Sequence, residues 1–209
     1  MPSRKFKLVW YFPLAVVGCA ALWGVYALAT PDDEVMLTLG EPYEQVREHS
    51  HSTLPAASPG VFWGGFVTHS AKLHFTEHGY SFVTPPAKFL YVGTDKSGKV
   101  ESVTLSPQIE TLPLDKAMAI VVDLQKQLRQ GGWHQIRTHR FPLITDTPAM
   151  VASIRRGDDP QIFWQVAGKY QVALDIRRFI HENRPKDERY LITLQLSGPP
   201  LMEDYPEDN

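Results

Sequence analysis

Hydrophobic and polar positions divide the chain into stretches of different period. Residues 8–29 hold no charged side chain over 22 positions, about the length of a helix that crosses a bilayer core. After a polar stretch, residues 43–48 are predicted as a two-turn helix. Pro42 suits its first position, and Leu39 is placed to pack on Tyr43 or Val46. Residues 49–60, rich in Ser, Pro and Ala, read as a loop. Five short β-branched or aromatic runs follow at 61–67, 71–75, 80–83, 88–93 and 99–106, and read as strands. Asp95-Lys96-Ser97-Gly98 is predicted as a hairpin connection with Gly98 at positive φ. Imperfect alternation from Val100 to Leu105 predicts a strand buried on both faces.

The strongest helical period covers 114–130, where Leu114, Ala117, Met118, Val121, Leu124 and Leu128 share one face. Gly131 and Gly132 end it, and Trp133 is placed to fold back onto Leu128. A shorter helix is predicted at 148–156, with Asp146 or Thr147 as N-cap and Gly157 as stop. Ile162, Trp164 and Val166 then alternate, Gly168 turns the chain, and Tyr170, Val172, Leu174 and Ile176 alternate again. A charged loop at 181–188 leads to Tyr190, Ile192, Leu194 and Leu196, completing an antiparallel meander. The expected fold class is α+β: an N-terminal transmembrane helix, then one antiparallel-sheet domain packed with one long and two short helices. The expected divisions are a membrane anchor or signal segment at 1–29, a tether at 30–37, a periplasmic domain at 38–198 and an acidic disordered tail at 199–209.

The flanks of the apolar segment set its orientation. Arg4, Lys5 and Lys7 precede it, Asp32, Asp33 and Glu34 follow, and positive flanks stay in the cytoplasm. Trp10, Tyr11, Trp23 and Tyr26 lie toward its ends, as interfacial aromatics prefer. We read it as a single-pass anchor in a bacterial inner membrane, with the C-terminal domain in the periplasm. Two alternatives stay open. Ala27-Leu28-Ala29 has the small-x-small pattern of signal-peptide cleavage after Ala29. Val16-Val17-Gly18-Cys19 resembles the bacterial lipobox, with Cys19 lipidated, although ten apolar residues follow it. All three export the same domain.

Cys19 is the only cysteine, so the exported region forms no disulfide and depends on its own core. Small eukaryotic secreted modules are disulfide-rich, which favours a bacterial envelope. Beyond the three N-terminal cations, 18 Lys and Arg face 23 Asp and Glu, a net −5. That balance argues against nucleic acid, whose phosphates demand a basic surface, and against anionic lipid headgroups, and it leaves a protein or a cationic surface as the expected partner.

Candidate chemistry is sparse. His49, His51, His74 and His78 could gather imidazoles around a metal, but no HExxH pattern is present and separate packing or surface roles suit their spacing better. Ser50 and Ser52 adjoin His49, yet adjacency in sequence is not triad geometry, and no G-x-S-x-G elbow occurs. Gly64-Gly65 reads as a bulge or close strand contact. Phe62-Trp63 and Phe163-Trp164 must place one ring on each sheet face. One of each pair belongs to the core; the other is covered or exposed. An exposed Trp beside Arg has the composition of an interface anchor, and Arg177 and Arg178 open the charged loop, a candidate recognition rim.

Leu37-Thr38-Leu39-Gly40-Glu41-Pro42-Tyr43-Glu44-Gln45-Val46 resembles the opening of small envelope lipoprotein domains of the BamE type. More broadly, an exported, cysteine-free α+β domain on one membrane segment resembles periplasmic immunity proteins that neutralise secreted toxins. The expectation is a membrane-tethered periplasmic protein-binding module whose partner is a toxin or an envelope component. Trp63, Trp164, Arg177 and Arg178 are its candidate contact residues, and no catalytic residue, cofactor or metal is expected. The alternatives are a non-enzymatic envelope-assembly or cell-wall accessory protein, and a hydrolase with a convergent or histidine-metal site.

Overall fold

Residues 33–58 and 63–198 are described by the computed structural model. The expected membrane segment at 8–29, with Cys19 and Ala29, and the expected tail at 199–209 lie outside the described residues. Among the described residues no helix is long and apolar enough to cross a membrane.

In chain order the elements are β1 (Glu34–Leu37), α1 (Tyr43–His49), β2 (Trp63–Phe66), β3 (Lys72–Phe75), β4 (Phe82–Val83), β5 (Phe89–Thr94) and β6 (Val100–Ser106). They continue with α2 (Leu114–Gln130), β7 (His134–Ile136), α3 (Pro148–Arg156), β8 (Gln161–Val166), β9 (Tyr170–His181) and β10 (Arg184–Ser197). Seven strands form an antiparallel sheet in the order β2-β5-β6-β10-β9-β8-β7. A second sheet, β1-β3-β4, pairs β1 parallel to β3. The fold is α+β, with three helices and one large antiparallel sheet among the described residues.

Side-chain alternation divides the large sheet into a core face and an outer face. The core face carries Leu90 and Val92, Val103 and Leu105, Leu194 and Leu196, Val172 and Leu174, and Ile162 and Trp164, all buried. Helix α2 packs against β10 and β9 and also reaches β4. All six residues of its predicted stripe are buried, each worth about 1.5–3 kcal/mol when fully removed from water for the larger side chains. The helix stops as expected. Gly132 takes φ +75°, and the Trp133 amide donates to the Leu128 carbonyl at 3.0 Å. Helix α3 is capped by Thr147, whose hydroxyl accepts from the Met150 amide, and it ends at Gly157 with φ +87°.

Several expectations need correction. The second half of the expected tether, 34–37, is strand β1, with Val35 and Leu37 fully buried beside Leu73 and Phe75. Pro42 is the N-cap of α1, one position before the first helical residue. Strand β6 is not buried on both faces. A bulge opposite Gly93 and Thr94 inserts Glu101, which returns Val100 to the core face that Val103 and Leu105 already share. The charged segment at 181–188 is no simple loop: β9 runs to His181 and β10 starts at Arg184.

Candidate functional site

Two surfaces stand out among the described residues, the outer face of the large sheet and an arm that continues β9 and β10 beyond it. On the outer face, cross-strand register aligns Phe66 of β2 with Tyr91, Thr104 and Gln195, and then with Ala173, Phe163 and Ile136. The neighbouring row is Gly64, Gly93, Ser102, Ser197, Gln171, Gln165 and His134. A further row holds Phe89 and Ser106, then Thr193, Asp175 and Gln161. Asp175 is the one carboxylate in these rows, which contain no Lys or Arg. Burial pushes its carboxyl above the ordinary range, while Arg177 and a hydrogen bond from Thr193 pull it back.

The two ends of this face differ. Toward β7, Phe141 packs on Ile136, Phe163 and Ala173, with Phe141 and Phe163 edge-on at 4.9 Å. Toward β2, Phe66 and Phe89 remain 51% and 46% exposed. Phe66 lies 5.5 Å from Phe89 and 4.8 Å from Tyr91, ring centre to ring centre. The Tyr91 ring sits over Gly64, where any Cβ would collide with it, and beside Gly93. The Gly64-Gly65 pair is therefore a close-contact device, as expected of glycine in a strand.

The arm begins where β8 stops pairing with β9, at Asp175. From Arg177 onward β9 pairs with β10 alone, and the register shifts between Arg184 and Arg189. Ile180 is 63% exposed near the arm's end. Arg184, Asp187 and Arg189 form a small ion-pair group, with Asp187 at 3.6 and 3.0 Å from the two arginines. Since isolated two-stranded ribbons are marginal in water, the base must be held. Glu188 accepts from the Tyr190 hydroxyl at 2.6 Å and from Arg155 of α3 at 2.9 Å. Those two hydrogen bonds hold the Glu188 carboxyl below its ordinary range. Burial and the same carboxylate push Tyr190 up to about 12. Arg178 donates to the Arg155 carbonyl at 3.1 Å.

The four candidate contact residues do not converge. Trp164 is 2% exposed on the core face, which removes it as a surface anchor. Trp63 also faces the core, half-buried and edge-on to Tyr43 at 4.8 Å. Arg177 continues the outer-face alternation at the start of the arm, while Arg178 turns the opposite way toward α3. Of the paired aromatics, Trp164 enters the core and Phe163 is covered by Phe141; Phe62 lies outside the described residues.

The histidines meet separate partners. His49 Nε2 lies 2.8 Å from the Met36 carbonyl oxygen and His74 Nδ1 lies 3.0 Å from Glu34. His51 lies 3.3 Å from Asp33, with His69 on the other carboxylate oxygen at 3.9 Å. His78 is exposed in the turn before Gly79. Among the described residues no group of three or more His, Cys, Asp or Glu is arranged to hold a metal. Ser50 Oγ accepts from the Met36 amide at 3.0 Å, and Ser52 Oγ is buried without a hydrogen-bond partner. Neither serine is hydrogen-bonded to a histidine among the described residues.

The outer aromatic group was the feature least marked in the sequence. Its signal is the order Phe89-Leu90-Tyr91-Val92, two rings alternating with two aliphatics. The aliphatics take the helix-covered face and leave the rings outside. Comparisons with protein-family models, curated proteins and solved structures give no match.

Proposed function

We propose that the chain is an exported, membrane-tethered module that binds another protein, and in its sharpest form an immunity protein that blocks a secreted toxin sterically. The observation that carries this reading is the β9–β10 arm. It offers an exposed Ile180 between Arg178 and Arg184, with Lys186 beyond them, on a ribbon fixed at its base by Glu188, Tyr190 and Arg155. An exposed apolar side chain flanked in sequence by arginines has the composition of an interface, and a clamped base lowers the ordering cost of docking. The cations steer encounter with an acidic partner surface more than they add affinity. The run of apolar residues at 8–29 supports the tether, and the basic-before, acidic-after flanks support export.

The test uses the full chain in detergent, as bait in bacterial envelope extracts. The expected result is one stoichiometric partner, lost in Ile180→Asp and weakened in Arg184→Glu, while both variants keep the parent's thermal midpoint. A toxin as that partner supports immunity and an envelope-assembly protein supports the accessory role. Capture that is indifferent to both substitutions removes the arm as the site.

A further inference from the structure

We propose that the outer sheet face across β2, β5, β6 and β10, where Phe66 and Phe89 stand exposed among the described residues, binds an uncharged, extended, β-linked glycan. The inference stands on observations separate from the arm and goes beyond the protein-binding reading.

The first observation is charge. Surface strands usually solvate themselves with Lys, Glu and Arg, and 21% of this chain is charged. The rows aligned across these four strands hold Gly, Ser, Thr, Gln, Phe and Tyr and no charged residue, while Glu101 lies outside the paired rows, in the bulge next to Ser102. A surface built that way matches a ligand that is polar but neutral. It rejects nucleic acid and anionic lipid, which require cations.

The second is the pairing of chemistries. Sugar rings present an apolar C–H face and a rim of hydroxyls. Phe66, Phe89 and Tyr91 offer ring area for the first, with Phe66 and Phe89 about half exposed. Thr104 and Ser102 on β6 and the exposed Gln195 on β10 supply neutral donors and acceptors for the second.

The third is geometry. The row from Phe66 through Tyr91 and Thr104 to Gln195 crosses four adjacent strands at a spacing of about 4.8 Å. An extended β-linked glycan repeats its rings at nearly the same interval, so successive units meet successive strands. Gly64 and Gly93 let the Tyr91 ring lie low on the sheet, with the Phe66 ring inclined 47° to it. An open row crossing four strands suits a polymer better than a small molecule, which favours a concave pocket.

The experiment titrates the full chain in detergent with two neutral β-1,4-linked probes, the N-acetylglucosamine hexamer and cellohexaose. Heparin serves as an anionic control, and the readouts are calorimetry and retention on chitin beads. The expected result is saturable binding of at least one neutral probe and none of heparin. Phe66→Ala and Phe89→Ala should each weaken binding by about tenfold, the scale of one lost stacking contact. Both side chains are about half exposed, so these variants should stay folded with a cooperative thermal transition close to the parent's. Thr104→Lys tests the need for neutrality in the same row, and Ile180→Asp should bind glycan like the parent. Three outcomes overturn the proposal: no neutral probe binds, heparin binds best, or the aromatic variants bind unchanged. Loss of a captured protein partner in the face variants, with glycan binding absent, assigns the face to protein and also overturns it.

Discussion

The Tyr190 hydroxyl donates to Glu188 at 2.6 Å, joining two residues of one strand where the arm leaves the sheet. Arg155 reaches the same carboxylate from α3, so one side chain ties the ribbon to a helix. The Arg155–Glu188 pair is solvent-accessible and adds little to global stability. Glu188→Gln should therefore leave the thermal midpoint nearly unchanged while amide exchange in residues 178–189 accelerates. Acid should act likewise. The Glu188 carboxyl is lowered in the fold, so its contribution is present above its unfolded value of about 4.3 and is lost as pH falls through the folded value. Hydrogen exchange on the arm across that interval, with Glu188→Gln as reference, checks both statements.

Alkali should weaken the protein through its buried tyrosines. Tyr190 titrates near 12 because burial and then Glu188 disfavour the phenolate, and Tyr43 is raised further, chiefly by burial. Their neutral forms favour the fold fully below the unfolded value of about 10, and that stability declines as pH rises from 10 through 12. Urea unfolding between pH 8 and 12 should show the decline, and Tyr190→Phe should make it shallower.

Gln108 substitutes for a missing strand beside β10. Its side-chain carbonyl accepts from the Ile192 amide at 2.9 Å, and its amino group donates to the Tyr190 carbonyl at 3.1 Å and to the Glu110 carbonyl at 2.7 Å. Gln108→Leu fits by volume but takes the acceptor from the buried Ile192 amide, while the Tyr190 carbonyl keeps the Leu112 amide at 3.1 Å, so it should cost about 1–3 kcal/mol in chemical denaturation. Because those groups lie at the root of the arm, exchange at 188–192 should rise with it.

The two adjacent glycines of β2 serve opposite faces. A Cβ at Gly64 would strike the Tyr91 ring outside, and one at Gly65 would strike the Tyr43 hydroxyl inside. Each Gly→Ala change should cost about 1–3 kcal/mol through overpacking. The rescues should differ: Tyr43→Phe relieves Gly65→Ala, and Tyr91→Ala relieves Gly64→Ala. A crossed set of double-mutant cycles should give coupling for the matched pairs and near-additivity for the others.

Local signals carried most of the secondary structure. The stripe on α2, the Thr147 cap and Gly157 stop of α3, and the Asp95–Gly98 turn depend on neighbours within a few residues. All three occur where expected. What stayed illegible depends on partners far along the chain. Strand β1 is four residues long and becomes a strand through parallel pairing with Lys72–Phe75. Strand β7 spans three residues and pairs with Phe163–Gln165. The charges at 181–188 mimic a loop, yet backbone pairing across a ribbon exposed on both faces needs no apolar alternation. Trp164 and Phe163 differ by one position, and only the register against β9 decides which ring enters the core.

Parallel pairing of β1 also decides how the domain bears a load. The chain enters at residue 33 and runs directly along β1, whose Val35 and Leu37 are locked into the core beside Leu73 and Phe75. Tension applied at residue 33 along the strand axis would load the hydrogen bonds to β3 together, in shear. They do not break singly, in sequence, from a free end. Forced extraction is governed by the unfolding barrier and not by equilibrium stability. An attachment made this way resists detachment beyond what four residues of strand would suggest.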